Sequence, residues 1–469
     1  MSLTVVAEVP PPAYDRAQLV AGELPTYSAP PSRPTAARTV STQTPPKEFT
    51  FELKNYFSKP WARLTLLAHP TLSRTSPTFV QGSSIDGSLR LNLRSSDPIK
   101  SIAVVVRGDL VVSGDPDERS TFFRLRKYLW KPSMGDPSAA AVPGCNDWTE
   151  KLKGEYTWPF SIKLPEFVAD PTGETEPKFR MPHTFAERSS RWSIDYYFEL
   201  RIDRGKLRPD DSIITQFGYF AMQAPSRPSQ LRQLAYRSGV DVPGPSTDPE
   251  GWHELEPVRI QGKLFGERPV DAICTVYLAK PLCYTRGTSI PCAMTIETEI
   301  DIDPQVADIL ASIRSSAVYL QRTVRCSLGR TTTSVVPCGQ ATWRPSTDVN
   351  ARPLRSPTQR QLVGEIHLRK DLQPSTAIKK IQIEYAVAIF PPAAVGFKSQ
   401  PITGPLLTQP VDIVTRYAHG VRQPNLATTP PLESLAIDHL VDHYYNSVSD
   451  GLSKTGAVLK LWSDGDLFP

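Results

Sequence analysis

Residues 193–202, SIDYYFELRI, decide the fold. Ile194, Tyr196, Phe198, Leu200 and Ile202 alternate with Ser193, Asp195, Tyr197, Glu199 and Arg201. An apolar residue at every second position marks a strand with one face on a core and the other toward solvent. The same period recurs on the N-terminal side. Phe49, Phe51 and Leu53 share a face, and Ile85, Leu89, Leu91 and Leu93 oppose Asp86, Ser88, Arg90 and Asn92. Residues 102–106 and 110–112 read as a more deeply buried strand with an irregularity at Gly108.

Toward the C-terminus, strands are expected over 270–279, 289–300, 318–328, 361–368 and 378–390. One helix is expected over 303–315, with Asp303 as N-cap, Pro304 at the first helical position, and Val306, Ile309, Leu310 and Ile313 on one face. Many short strands, turn-rich links and little helix predict a mainly β protein of two tandem, immunoglobulin-like antiparallel β-sandwiches. The first is expected over 48–225 and the second over 257–417. A linker over 226–256 and a tail over 418–469, helical in part, complete the division.

Composition fits that plan. The chain has 469 residues, 39% of them hydrophobic and 22% charged, which exceeds what one ordinary core organises. Its 47 prolines disfavour long helices. A net charge of +5, from 53 basic and 48 acidic residues, is too small to point to nucleic acid. Two local basic clusters stand out, Arg124, Arg126 and Lys127, then Arg201, Arg204, Lys206 and Arg208. They read as solvated strand ends or as a patch for phosphorylated tails or anionic lipid heads. The six cysteines form no C-x-x-C pair. The first residues have no basic start before an apolar run, so no signal peptide is expected, and no run reaches the ~18 apolar residues of a membrane span. A cytoplasmic, reduced setting without cofactor is expected.

Residues 1–47 are rich in Pro, Ser, Thr and Ala without hydrophobic period and are expected to be a disordered arm. Two short motifs lie in it. Pro11, Pro12, Ala13 and Tyr14 form P-P-x-Y, and Leu24, Pro25, Thr26 and Tyr27 form the related L-P-x-Y. Proline presets the polyproline II shape that WW domains read with an aromatic groove and a tyrosine pocket. Nine residues, Asp15 to Glu23, separate the motifs. A flexible linker of that length reaches roughly 15–18 Å, so tandem WW domains can engage both and gain about 10²–10⁴ in avidity.

Several blocks together resemble the arrestin family. PTFVQGSSIDGSLRLNLRS at 77–95 resembles the early hairpin of an arrestin N-domain, and PIKSIAVVVRGDLVV at 98–112 the strand that follows it. KGEYTWPFSIKLPEF at 153–167 resembles the G-x-[YH]-x-[FW]-P-F-x-[FI]-x-[LI]-P signature, and PHTFAERSSRWSIDYYFELRI at 182–202 the next two elements. VDAICTVYLAKPLCYTRGTSIPCAMTIET at 270–298 looks like the opening of an arrestin C-domain. Compared with a compact arrestin, the loop expected over 115–147 and the stretch 226–256 are long. The buried charged core of visual and β-arrestins has no recognisable counterpart.

The resemblance to α-arrestins implies sandwiches of arrestin type and a role as adaptor. Such proteins bring HECT-type ubiquitin ligases, through WW domains, to the cytosolic tails of membrane transporters or receptors, promoting ubiquitylation and endocytosis. It also implies recruitment to plasma membrane or endosomes, with peripheral membrane contact. Tyr14 and Tyr27 would fill the WW pockets, and Pro11, Pro12 and Pro25 the groove. A second reading is a sorting scaffold of the same fold without a ligase. A third is a hydrolase on a β-sandwich, which needs a Ser–His–acid or metal constellation. Gly82-Ser83-Ser84-Ile85-Asp86 lacks the last glycine of a nucleophile elbow and fits a hairpin turn. His439 and His443 sit at i, i+4 beside Asp438 and Asp442, on what reads as an exposed helix face. The sequence therefore predicts a non-enzyme.

Overall fold

The computed structural model describes residues 45–69, 75–112, 119–138, 147–169, 179–186, 192–205, 209–298, 303–312, 317–328, 331–346, 357–378, 380–402 and 404–423. Residues 1–44 of the expected disordered arm and the expected tail helix lie outside these residues, and the arm's expected end at residue 47 is already the first residue of a strand. Contacts divide the chain between Pro45 and Pro46. The described residues beyond that point are mainly β and form two sandwiches.

The first sandwich contains β1 (Lys47–Lys54), β2 (Pro60–Ala68), β3 (Thr78–Val80), β4 (Ser84–Asp97), β5 (Ser101–Val112) and β6 (Arg119–Trp130). It continues with β7 (Leu152–Lys163), β8 (Phe167–Val168), β9 (Phe179–Arg180), β10 (Phe185–Ala186), β11 (Trp192–Asp203) and β12 (Asp211–Phe220). One sheet runs β1-β2-β4-β7 and the other β3-β12-β11-β5-β6, with β10 beside β11 and β8 pairing β9. The opening stretch is β11, the strand between β5 and β12. Ile194, Tyr196, Phe198, Leu200 and Ile202 are fully buried, facing Leu64, Leu89, Trp158 and Phe160 of the other sheet within one core cluster.

The second sandwich contains β13 (Trp252–Glu254), β14 (Val258–Leu264), β15 (Arg268–Ala279), β16 (Cys283–Thr285), β17 (Ser289–Thr298) and β18 (Val318–Cys326). It ends with β19 (Thr332–Pro345), β20 (Gln359–His367), β21 (Thr376–Ile378), β22 (Ile381–Ile389), β23 (Phe397–Ser399) and β24 (Leu407–Val414). Its strands run β16-β24-β22-β18-β19 and then β19-β20-β17-β15-β14-β23, because β19 belongs to both sheets. Residues 332–340 of β19 pair β18, and residues 341–345 pair β20. Gly339 lies at this crossing, where a Cβ would stand 3.0 Å from Ile366 Cγ2 and 3.1 Å from His367 O.

The second sandwich repeats the first. The order β7-β4-β2-β1 opposite β3-β12-β11-β5-β6 recurs as β20-β17-β15-β14 opposite β16-β24-β22-β18-β19. The parallel pair β3–β12 recurs as β16–β24. Gly82 and Gly287, both at φ +79°, turn the chain into β4 and β17, a left-handed conformation that glycine adopts without Cβ strain. Beside them Ser83 Oγ donates to Val80 O at 2.7 Å and Thr288 Oγ1 to Thr285 O at 2.6 Å. Tyr196 OH donates to Pro182 O at 2.6 Å, and Tyr385 OH to Gln373 O at 2.6 Å.

Two expected loops are folded. The stretch expected as a long loop over 115–147 contains β6, paired along β5. The stretch expected as a linker over 226–256 contains α1 (Gln230–Ser238), a 3₁₀ turn and β13. Ser229 caps α1 by accepting from Arg232 N at 3.2 Å, and Gly239 ends it in the left-handed region. Trp252 packs on Ala279 and Ala293, so this segment covers the outer face of a sheet in the second sandwich. The expected helix at 303 is α2 (Pro304–Leu310), with Asp303 accepting from Gln305 N at 3.0 Å.

Gly108 marks a bulge between β5 and β6. A Cβ there would lie 2.6 Å from Phe122 Cζ and 2.9 Å from Tyr196 Cε1. Gly108→Ala is expected to cost about 1–3 kcal/mol through overpacking, read as a lower denaturation midpoint. The cost should shrink in a Phe122→Leu background, where the ring tip is gone. Equal costs in both backgrounds would remove the ring from the explanation.

Candidate binding surfaces

Pro11, Pro12, Ala13, Tyr14, Leu24, Pro25, Thr26 and Tyr27 lie outside the described residues, as do Lys206, Arg208, His439 and His443. The geometry available belongs to the two sandwiches.

Three residues of the two basic clusters noticed in the sequence, Arg124, Arg126 and Arg201, share one sheet face. Arg124 pairs across with Arg107, and Arg107 with Tyr197; Ala103, four residues earlier on β5, pairs with Arg201. Directly paired residues share a face, so Arg124, Arg126, Arg107 and Arg201 all project from the outer side. Arg204 departs from this group: it bonds Asp97 at 2.9 Å and also Asp211, at the end of the sheet.

Acidic side chains buried between these arginines fix some of them. Asp109 is fully buried, accepts from Thr121 Oγ1 at 2.7 Å, and lies 3.2 Å from Arg107 Nε and 3.6 Å from Arg119 Nη1. Glu199 holds Arg201 through two bonds of 2.6 and 3.0 Å. Asp195 sits across from Asp109, and burial raises its pKa against the opposing hydrogen bonds from Ser193 and Gln216. Arg107 and Arg119 lie over the Tyr197 ring at 5.0 and 5.7 Å. Arg124 and Arg126 are different. Both are exposed, and neither has a carboxylate partner among the described residues.

β6 is the last strand of its sheet. Along its outer edge runs a groove of about 360 Å³, walled by Thr121, Phe122, Phe123 and Arg124 on one side and Pro165, Phe167 and Val168 on the other. Phe167 is 44% exposed and stacks under Arg180 at 4.9 Å. A second exposed apolar feature is the tip formed by Phe265 and Val395, where Phe265 N donates to Gly396 O at 2.7 Å.

The sandwiches meet at a hydrogen-bonded joint. Arg416 N donates to Gln223 O at 2.7 Å, Gln223 N to Thr415 Oγ1 at 3.2 Å, and Thr415 Oγ1 to Ala221 O at 2.5 Å. His183 is buried here, accepting from Ala221 N at Nδ1 over 3.4 Å and lying edge-on to Phe220. Burial, reinforced by the charge of Arg286, lowers its pKa to about 3. Sequence reasoning passed over this joint, because its polar atoms are mostly backbone.

The groups nearest to a hydrolase site are Ser289, Glu365 and His367. Ser289 Oγ donates to Glu365 Oε2 at 2.7 Å, and His367 Nε2 lies 3.3 Å from Glu365 Oε1. The carboxylate separates the hydroxyl from the imidazole, so this histidine cannot take the serine proton as a triad base does. Gln423 Nε2 also donates to Ser289 Oγ at 2.6 Å. Burial pushes the Cys274 and Cys338 thiols up to about 12, which keeps them protonated. Gly82 and Ser83 turn the chain into β4, but not as the expected hairpin, because β3 pairs β12 in one sheet while β4 lies between β2 and β7 in the other. Among the described residues no cluster of three or more His, Cys, Asp or Glu is placed to hold a metal ion, and no helix is long and apolar enough to cross a membrane. Neither protein-family models nor curated proteins match this chain.

The neutral His183 gives the joint a pH dependence. Its folded pKa of about 3 lies below the ordinary histidine value of 6.5, so the unfolded chain takes up a proton that the folded chain refuses. Its stabilising contribution is present above pH 6.5 and is lost progressively as pH falls toward 3, at up to about 1.4 kcal/mol per pH unit. His183→Asn, whose Oδ1 can replace Nδ1 as acceptor, should lose that component of the slope in urea denaturation followed from about pH 7 to about pH 4. An unchanged slope would contradict a neutral buried His183.

Proposed function

We propose that this chain is an arrestin-like adaptor of the α-arrestin kind. Its N-terminal motifs recruit a WW-domain, HECT-type ubiquitin ligase, and its two sandwiches hold the cytosolic tail of a membrane transporter or receptor, promoting ubiquitylation, endocytosis and trafficking. The observation that carries this reading is the pair Pro11-Pro12-Ala13-Tyr14 and Leu24-Pro25-Thr26-Tyr27 ahead of a two-sandwich body.

The physical logic is division of labour. The arm supplies ligands whose proline content lowers the ordering cost of binding. The body supplies rigid edges and faces for a partner of different chemistry. The protein works in the cytoplasm and reaches plasma membrane or endosomes through its cargo. Phe265 and Val395, with Lys263, Arg268 and Lys398 on the strands around them, suit peripheral contact with an anionic bilayer.

An array of WW domains is expected to capture the full chain and to lose it when Tyr14 and Tyr27 both become Ala, with each single change weakening capture through lost avidity. Undiminished capture of the double variant would exclude motif-based recruitment. Removal of residues 1–47 separates the ligase adaptor from a sorting scaffold, since only the scaffold keeps normal cargo turnover without them.

A further inference from the structure

We infer that the outer edge of β6 binds an extended peptide in which acidic and apolar residues alternate. The inference deepens the adaptor reading, and rests on it only in naming the bound peptide as cargo.

Three observations converge on this edge. First, the strand is unpaired on its outer side. It ends the order β3-β12-β11-β5-β6, and among the described residues no backbone hydrogen bond reaches residues 121–129 from that side. Among the described residues, its bond to β7 is the one from Lys127 Nζ to Ser161 O, at 2.9 Å. The second sandwich treats the corresponding strand differently. There β19 bends onward, and residues 341–345 pair β20, closing the seam with backbone bonds. The first sandwich leaves its seam open.

Second, the groove beside this edge is shaped for a strand. Its near wall is four consecutive residues, Thr121 to Arg124, so it runs along the edge and not over a face. Phe122 and Phe123 both turn toward the core, and Phe167 and Val168 form the far wall. Residues of an added strand that point inward would therefore meet aromatic and aliphatic surface.

Third, the opposite face carries unneutralised charge. Arg124 and Arg126 sit two residues apart, about 6.8 Å along the strand, and project outward. Arg107 and Arg201 on the same face are held by buried carboxylates, whereas Arg124 and Arg126 are exposed without such partners among the described residues. Residues of an added strand that face outward, again at every second position, would meet these guanidinium groups, which match carboxylates in a bidentate geometry.

Charged residues on an edge also guard against unwanted strand pairing. That role needs charge alone and does not need an apolar groove behind it. The two together define a strand-addition site in which main-chain bonds give affinity and alternating side chains give selection. A bilayer would engage the arginines but leave the groove and the strand edge unused, so the peptide is the occupant that accounts for all three observations.

The test is fluorescence anisotropy of labelled peptides titrated with the full chain. The probe alternates Glu with Leu or Val over about ten residues, enough for one strand. The controls are a peptide of the same composition with its acids in one block, and the alternating peptide with two central prolines, which lack the N–H needed to pair. Tighter binding of the alternating peptide than of both controls supports the site. Arg124→Glu/Arg126→Glu should weaken it about tenfold or more, because repulsion replaces attraction. Phe167→Ala should weaken it with no change in surface charge. Equal binding of the alternating and blocked peptides, or full binding by both variants, would overturn the inference. So would capture of phosphatidylserine vesicles that depends on Arg124 and Arg126 while no peptide binds. Because no ligase is present, failure here leaves WW-domain capture to be judged separately, and loss of WW capture leaves peptide binding unaffected.

Discussion

The contact on which the first sandwich depends is the stack of Phe160 on Phe198, with ring centroids 5.6 Å apart and planes inclined by 21°. One ring comes from β7 and the other from β11, so the pair joins the two sheets through their shared core. Space for it is made elsewhere. At Gly87 of β4 a Cβ would stand 2.7 Å from Phe160 Cζ and 2.3 Å from Thr65 O, so any side chain there would displace the ring or the neighbouring strand. Tyr196, on the same face of β11 as Phe198, spans the core and ties its hydroxyl to Pro182 O. Of the five blocks that resemble arrestins, 153–167 and 182–202 are the two that meet at this contact. Their residues are fixed by packing, so the resemblance bears on architecture more directly than on binding.

The repeat limits where functional differences can lie. Turns, parallel strand pairs and tyrosine anchors are common to both sandwiches, so those features are requirements of closing the sheets. The differences are few and local. Arg286 stands where Gln81 stands in the first repeat; Gln81 accepts from Met222 N at 2.9 Å, whereas the half-buried Arg286 guanidinium donates to Leu372 O at 3.2 Å. His183 occupies the place of Pro374, and the charge of Arg286 reaches it at the joint. The edge of β6 is a third departure, an open strand where the partner repeat runs on into the next sheet.

Much of the fold was legible in the sequence because alternation survives wherever a strand has one wet face, as in β11 and β22. It fails where a strand is kinked. Phe122 and Phe123 both face inward at the bulge opposite Gly108, which breaks the period in β6. Pro337 and Gly339 discourage a strand assignment for β19, although Pro337 sits at its irregularity, where a missing N–H is tolerated. The segment at 226–256 is rich in proline and polar residues, and it joins the body through its own Trp252 on Ala279 and Ala293, its Arg232 on Lys280 O and the pairing of β13 with β15. The repeat had a faint signal, Q-G-S-S-I at 81–85 against R-G-T-S-I at 286–290, too short to stand out without the turns seen in space. The candidate edge was half visible. The arginines were evident as a cluster, but the groove beside them is made by residues more than forty positions away.

Charge on the outer face of the first sandwich is thus of two kinds. Arg107 and Arg119 share the buried Asp109 and Arg201 is held by Glu199, so their charge is offset at short range, fully for Arg201 and in part for the other two. Arg124 and Arg126 contribute net charge, which acts over about 10 Å at ordinary ionic strength. An incoming acidic segment is therefore drawn to the β6 side of the face, where an open strand edge offers main-chain hydrogen bonds. Those bonds require an extended backbone, and an extended backbone presents its side chains alternately to the two sides. The period of two that folds this protein is the period a ligand of this edge must carry.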